Sequence, residues 1–441
     1  MIATTKPGVL ILSHQGFSFL EDLASLIRSA GCNVYILSSQ VSAQNPARVA
    51  AVEALGDWTR FEATPSLVWQ NVADALGTLT EQGRMVMATI SVWDGYRSLM
   101  ARGNQLLKVA DLNAETVDLI NDKLRMRQRL FPLGLTGGKV EVLTPEVLAK
   151  RQAGTRRSFV KPRRGLASFG AFELTSDLTW AEVEGLAKSI SDDPEYRSVL
   201  GDTPSFIVED YVEGIELSFE VIVAAGRAYV TAIHEKVGLE AHGRTTLETA
   251  CVAPPPSLDP DALRAGVAYV GNVLAALGAN AGCFHIEVRW DSEHSQFDVI
   301  EVNPRVGGAF INHSMKAMTG GTCLLELWLA TLLVRNESDA ARVQSLLVRT
   351  EMQGLSRPWV TTVFRVFYGE GGRQVASLCC RNIGAEPTAT RLIAKAGDHL
   401  PHSEREIFLG QMLWTFGDAA HSATIAAFVE RSRDALEVIY A

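Results

Sequence analysis

Glu287, Glu301 and Asn303 are the residues of this 441-residue chain whose types and spacing point most directly to chemistry. They fall in GCFHIEVRW and FDVIEVNPRVGG, two runs of alternating apolar and polar residues separated by the polar hexapeptide DSEHSQ, which reads as two antiparallel strands joined by a short loop. A hairpin centred near His294 sets Glu287 opposite Glu301 and His285 opposite Asn303, because paired positions in an antiparallel ladder keep a constant sum. Side chains of one parity share a face, so Glu287, Glu301 and Asn303 point the same way. Two carboxylates and an amide oxygen crowded together repel unless something positive sits between them. The simplest such group is Mg²⁺, a hard ion bound through oxygen and commonly shared with nucleotide phosphates. A solvated sheet face with scattered charges is the alternative for a glutamate pair alone. Arg305 and the pair Gly307-Gly308 weigh against it: a guanidinium can hold a developing oxyanion, and the glycines let the backbone approach a ligand closely.

Three further stretches carry candidate chemistry. In SFVKPRRGLASFGAFEL a strand ending at Lys161 enters a loop with Gly165, Ser168 and Gly170, whose exposed N–H groups and hydroxyl can wrap phosphate oxygens while Lys161 supplies charge. A glycine-rich hairpin near a lysine also arises by accident, and no GK[ST] follows, so this is not a Walker A loop. In FIVEDYVEGIELSFEV the backbone of Asp210, Tyr211 and Val212 offers an edge able to pair with a base, and Glu216, Ser218 and Glu220 share one face of the next strand. NDKLRMRQRL is a basic amphipathic helix that by itself looks like any surface helix.

Taken together, HxE, IEVNPRxGG, the lysine-bearing glycine loop and EDYVEGxE resemble the ATP-grasp superfamily, over about residues 120–310. The resemblance implies an α/β (α+β) chain in three parts: an N-terminal parallel α/β domain at 1–118, a central two-lobed nucleotide-binding domain at 119–334, and a C-terminal β-rich lobe at 335–441. It implies ATP as cosubstrate and Mg²⁺, or Mn²⁺ in its place, held by Glu287, Glu301 and Asn303. It further implies that Lys123 and Lys161 contact phosphates, that Gly165, Ser168 and Gly170 form the phosphate-covering loop, and that Glu209 opens the adenine hinge with Asp210 and Val212. Glu216 then meets the ribose, and Arg305 acts in catalysis with Lys161. Glu213 and Glu220 match no position of the family and read as solvated or structural. The activity implied is carboxylate–amine ligation through an acyl phosphate, most like the amino acid ligases that form dipeptides. A purine-type ligase, an ATP-grasp phosphotransferase and a nucleotide-binding regulator are the other readings.

Composition bounds the rest. With 47% hydrophobic and 21% charged residues the chain is globular and too long for one ordinary core, and a net charge of −9 with no dense basic run excludes an electrostatic basis for nucleic-acid binding. The arginines of TRRSF and KPRRG read as phosphate-facing. Six cysteines without CxxC spacing read as reduced thiols, and CLLELWLATLLV is too short to span a bilayer. A soluble, cytoplasmic enzyme acting on small carboxylate and amine substrates is the expectation, with a homodimer left open and no nucleic-acid or membrane partner.

Residues 8–38 read as a β-α-β unit of a parallel sheet, with the Ser13-His14-Gln15-Gly16 turn at the carboxyl end of its first strand; His14 is either a packing residue or a substrate contact. VGLEAHGRTTLETACVAPPP reads as a long irregular connection, in which Arg244 is a candidate for a substrate carboxylate. Beyond Arg335 the composition turns β-rich, and HSATIAAFVERSRDALEVIY reads as a terminal helix.

Overall fold

The computed structural model describes residues 6–17, 19–41, 45–166, 168–193, 199, 204–356, 358–402, 407–417 and 422–441. Four short apolar strands, β1 (Gly8–Ser13), β2 (Asn33–Ser38), β3 (Trp58–Phe61) and β4 (Val86–Ile90), form a parallel sheet in the order β3-β2-β1-β4. β1 is buried along its whole length, as a central strand covered on both faces must be. One cover is helix Leu20–Ser29, which buries Leu20, Leu23, Ala24 and Ile27 at helical spacing. Another is helix Leu324–Leu332, apolar nearly all round because it packs on this sheet and on the large sheet described next.

A second sheet contains β5 (Val140–Val142), β6 (Ser158–Pro162), β7 (Phe172–Glu173) and β8 (Phe206–Asp210), in the order β5-β8-β6-β7. The large sheet is antiparallel and begins with β9 (Ile215–Ala224), β10 (Arg227–His242), β11 (Thr245–Ala253), β12 (Gly282–Asp291), β13 (Gln296–Asn303) and β14 (Thr361–Tyr368). β15 (Val375–Cys380), β16 (Ala389–Leu392), β17 (Phe408–Phe416) and β18 (Leu436–Tyr440) follow. β14, β17 and β16 extend the large sheet, in the order β13-β12-β9-β10-β11-β14-β17-β16, while β15 pairs with β18.

Three segments differ from the sequence reading. The stretch after Lys236 is no irregular connection: β10 runs on to His242 and returns as β11 through a tight turn at Gly243 and Arg244, with Gly243 at φ +57°. Register slips around Gly238 break the alternation that would have shown this strand. After Arg335 comes a 19-residue helix, Glu337–Leu355, started by the Asn336 side chain accepting from the Asp339 N–H. Gly354 lies against β10 so closely that a Cβ would strike the Thr231 carbonyl oxygen. The terminal helix ends at Arg431, and LEVIY becomes β18, whose β-branched residues suit pairing with β15. Among the described residues no helix is long and apolar enough to cross a membrane.

Candidate active site

β12 and β13 form the hairpin that the alternation predicts, with Glu287 opposite Glu301 and His285 opposite Asn303. The constant sum fails one step on. Val288 pairs with Val299, so Ile300 is the extra residue of a bulge, and its carbonyl accepts a hydrogen bond from Lys161 Nζ at 3.1 Å. That bond ties the small sheet to the hairpin. Lys161 also pairs with Glu209 at 2.6 Å, and Arg127, wholly buried, pairs with Glu209 and Asp298 at 3.3 Å each. Burial pushes the Lys161 ammonium below its usual range, with Arg127 and Lys123 adding to it against the pull of Glu209. Burial acts to raise the Glu209 carboxyl, but the Arg127 and Lys161 cations overcome it and hold it ionised.

Four adjacent strands of the large sheet, β12, β9, β10 and β11, each bring one member of a second cluster. Lys236 on β10 is buried and pairs with Glu216 of β9 at 3.0 Å, Glu248 of β11 at 2.5 Å and Glu287 of β12 at 3.1 Å. Burial lowers its affinity for a proton, yet the three carboxylates outweigh that and raise it well above the lysine value. Glu287 is held far below the carboxylate range, burial being overcome by Lys236 and His285. Glu248 moves the other way, because burial and its two acidic neighbours outweigh Lys236. His285 joins Glu287 at 3.2 Å to Glu220 at 2.7 Å; burial lowers its proton affinity, but these carboxylates raise its pKa to about 9.

The predicted residues gather in two adjoining cavities. One, of about 280 Å³, is lined by Lys123, Lys161, Gly165, Ser168, Glu209, Val212, Glu216, Glu287 and Glu301. Glu216 is gripped there by Arg289 at 3.0 Å, which also donates to the Val212 carbonyl at 2.7 Å and the Tyr211 hydroxyl at 2.8 Å. The Asp210 and Tyr211 N–H groups are bonded to the Lys139 and Arg157 carbonyls, so among the described residues the Val212 N–H is the hinge donor that no bond uses. The other cavity, of about 500 Å³, is lined by Asp94, Lys236, His285, Asn303 and Arg305, and shares Ser168, Glu248, Glu287 and Glu301 with the first. Arg305 is pinned through Nε to Asp94 at 3.0 Å, and that carboxylate keeps its guanidinium protonated against burial.

Other candidates lie elsewhere. Gly170 does not face the cavity; at φ +72° it packs against Ile190, Pro162 and Phe206 and shapes the loop from behind. The Asp210 side chain pairs with Arg151 and caps the Lys139 N–H. Arg157 binds Glu173 and Glu213, and Arg163 binds Asp122, so neither guanidinium is free to face phosphate. Arg244 pairs with Glu182 at 3.0 Å and lies over Phe172, and it lines neither of the two cavities. His14 stacks on Trp93 at 4.5 Å and bonds the Tyr96 hydroxyl at 2.8 Å. It is a packing residue that backs the Trp93 wall of the larger cavity. Glu220 is fully buried and is no solvated group.

Comparison with known sequences decides the family of the central part: residues 157–313 match the ATP-grasp domain. The chain carries an ATP-grasp domain. Its fold is shared, at a TM-score of 0.71 and 19% identity, with an L-amino acid ligase from Bacillus licheniformis, over 99% of this chain and 100% of that one. An N5-carboxyaminoimidazole ribonucleotide synthetase from Thermotoga maritima follows at 0.62 and 14%, over 98% and 99% of the two chains. The biotin carboxylase domain of a Hydrogenobacter thermophilus 2-oxoglutarate carboxylase, crystallised with MgADP and bicarbonate, gives 0.66 and 12%, over 99% and 91%. A search of the curated proteins finds no match. The whole chain thus has the fold of ATP-grasp ligases.

Within the ATP-grasp domain the oxygen donors suit a hard divalent ion. Glu287 and Glu301 face each other in register, and both are now neutralised by lysines, Lys236 and Lys123, the latter at 2.9 Å from Glu301. A closer trio of carboxylates is Glu216, Glu248 and Glu287, gathered around Lys236. Glu248, Lys236, Arg289, Arg127 and Asp94 escaped the sequence reading. Their partners come from other strands or, for Asp94, from Arg305 just past β13, and no local pattern marks them.

Proposed function

We propose that this protein is an ATP-dependent carboxylate–amine ligase that joins two amino acids, releasing ADP and phosphate. The observation that supports it is the meeting of the two cavities at Glu287 and Glu301. One cavity has the lysines, glycine loop and hinge suited to a nucleotide; the other has room for a second reactant and a buried arginine.

A free carboxylate is a poor acyl donor because its leaving group is oxide. Phosphorylation removes that obstacle: a carboxylate oxygen bonds to the γ-phosphorus as the bond to ADP breaks. Lys161 and Lys123 hold the phosphates, and Val212 and Glu216 hold the nucleoside. Glu287, Glu301 and Asn303 are the residues that would hold Mg²⁺, which supplies charge neutralisation of the outer phosphates. The amine nitrogen then attacks the acyl carbon. Arg305, fixed by Asp94, stabilises the oxyanion, and the C–O bond to phosphate breaks to leave the amide.

A matrix of amino acids assayed pairwise for ADP release and product mass tests this reading. Dipeptide masses that appear only with ATP are expected. ATP consumption that yields a phosphorylated product without an amide would replace the ligase with a phosphotransferase.

A further inference from the structure

The 500 Å³ cavity has two chemically distinct ends. Its charged lining groups are each engaged within the protein: Arg305 with Asp94, Lys236 with Glu248 and Glu287, His285 with Glu287 and Glu220, and Glu301 with Lys123. Arg305, His285, Glu287 and Glu301 sit on or beside the hairpin, while the Lys236–Glu248 pair bridges β10 and β11, next to β14. The opposite wall is built by Phe364, Val366 and Tyr368, three residues of one parity on β14, with Phe408 of β17 and Ile393 at the edge. Tyr368 and Phe408 are cross-strand partners whose rings meet edge to face at 6.0 Å. These five side chains carry no charge, and Glu248 beside them, to whose backbone carbonyl the Tyr368 hydroxyl donates at 3.0 Å, is already paired with Lys236.

We propose that this wall makes the enzyme select a carboxylate substrate with a bulky, neutral, apolar side chain, an amino acid of the leucine, methionine or phenylalanine class. The inference rests on the ligase reading. The reacting carboxylate must lie where the cavities join, at Glu287 and Glu301, so its side chain extends along the larger cavity toward β14. A charged side chain there loses its hydration and meets only charges already paired within the protein, Lys236 with Glu248 and Glu287. A hydrogen or methyl leaves the aromatic wall without contacts. The volume lies within the range of about 300–1,000 Å³ typical of small-molecule sites.

The test measures ADP release for leucine, methionine, phenylalanine, glycine, aspartate and lysine against a common amine acceptor. The N-terminal residue of each product identifies the carboxylate substrate. The apolar three are expected to exceed the others by about 10- to 100-fold in kcat/KM. Val366→Phe, which fills the cavity, should lower kcat/KM for phenylalanine by at least about 10-fold while leaving KM for ATP unchanged. The half-buried Phe408→Ala is the gentler variant and should reduce the preference for phenylalanine over glycine by about fivefold or more. Highest turnover with aspartate, lysine or glycine would overturn the proposal while leaving the ligase reading intact. If no amino acid releases ADP, the dipeptide reading fails. Binding to the protein loaded with Mg²⁺ and a non-hydrolysable ATP analogue then decides the pocket. 3-Phenylpropanoate and 4-methylpentanoate binding about tenfold more tightly than succinate and 4-aminobutanoate supports the apolar wall, and the reverse order refutes it.

Discussion

Charge placement at single residues makes the sharpest demands on this site. Glu287→Gln or Glu301→Gln removes one negative oxygen donor, and either change should abolish ADP release with the far-ultraviolet spectrum unchanged; Asn303→Ala, losing a neutral oxygen, should be milder. Lys161 meets phosphates already charged in the ground state, so Lys161→Ala should chiefly raise KM for ATP. Arg305 meets charge that grows in the tetrahedral intermediate, so Arg305→Ala should chiefly lower kcat, by about 10²–10³-fold. Steady-state kinetics of the two variants separates these roles.

The buried histidines set a pH dependence of stability for the metal-free protein. His285 has a folded pKa of about 9, raised from 6.5, so its contribution is complete below about pH 6.5 and is lost as pH rises through 9. The loss is on the order of 3 kcal/mol. His234, lowered by burial to about 4, works in the opposite sense: the unfolded chain takes up its proton first, so stability falls as pH drops from about 6.5 toward 4. Urea midpoints across pH 4–9 should therefore peak near 6.5, and His285→Asn should flatten the alkaline limb. An alkaline limb of equal steepness in that variant would show that His285 does not carry it.

Among the elements, the β12–β13 hairpin was legible because apolar and polar residues alternate on both sides of a polar turn; the break in FDVIEVN, the consecutive Val299 and Ile300, falls at the bulge that brings the Ile300 carbonyl to Lys161. The end of β10 beyond Lys236 and all of β11 were not legible: the slips at Lys236 and Gly238 interrupt the period of two just where the strand carries its buried lysine. Sequence left Glu220 open between solvated and structural, and the structure makes it structural. It shares a face with Glu216 along the strand, and only the β9–β12 register, which pairs it with His285, shows that this end of the face is covered. Helix Glu337–Leu355 hid behind a narrow apolar stripe, Val343 and Leu347, and closes on β10 with a glycine. Gly354→Ala should lower stability by about 1–3 kcal/mol through its clash with Thr231. Gly271→Ala, in helix Pro260–Ala276 with nothing near a new Cβ, should raise it by about 0.5–1 kcal/mol. Urea titration of both variants distinguishes the close approach from mere helix propensity.

At the scale of the molecule, the proposed site draws on two of the four sheets and on the segment that follows a third. The small sheet supplies Lys161, the large sheet supplies Glu287, Glu301 and the aromatic wall, and the segment after β4 supplies Asp94 to fix Arg305. The account stands or falls on whether ATP activates a carboxylate at that junction. The direct measurement is transfer of oxygen-18 from a labelled carboxylate substrate during turnover. One labelled oxygen in inorganic phosphate, formed together with ADP and the amide, is the predicted result. AMP with pyrophosphate, or unlabelled phosphate beside a formed amide, would contradict it.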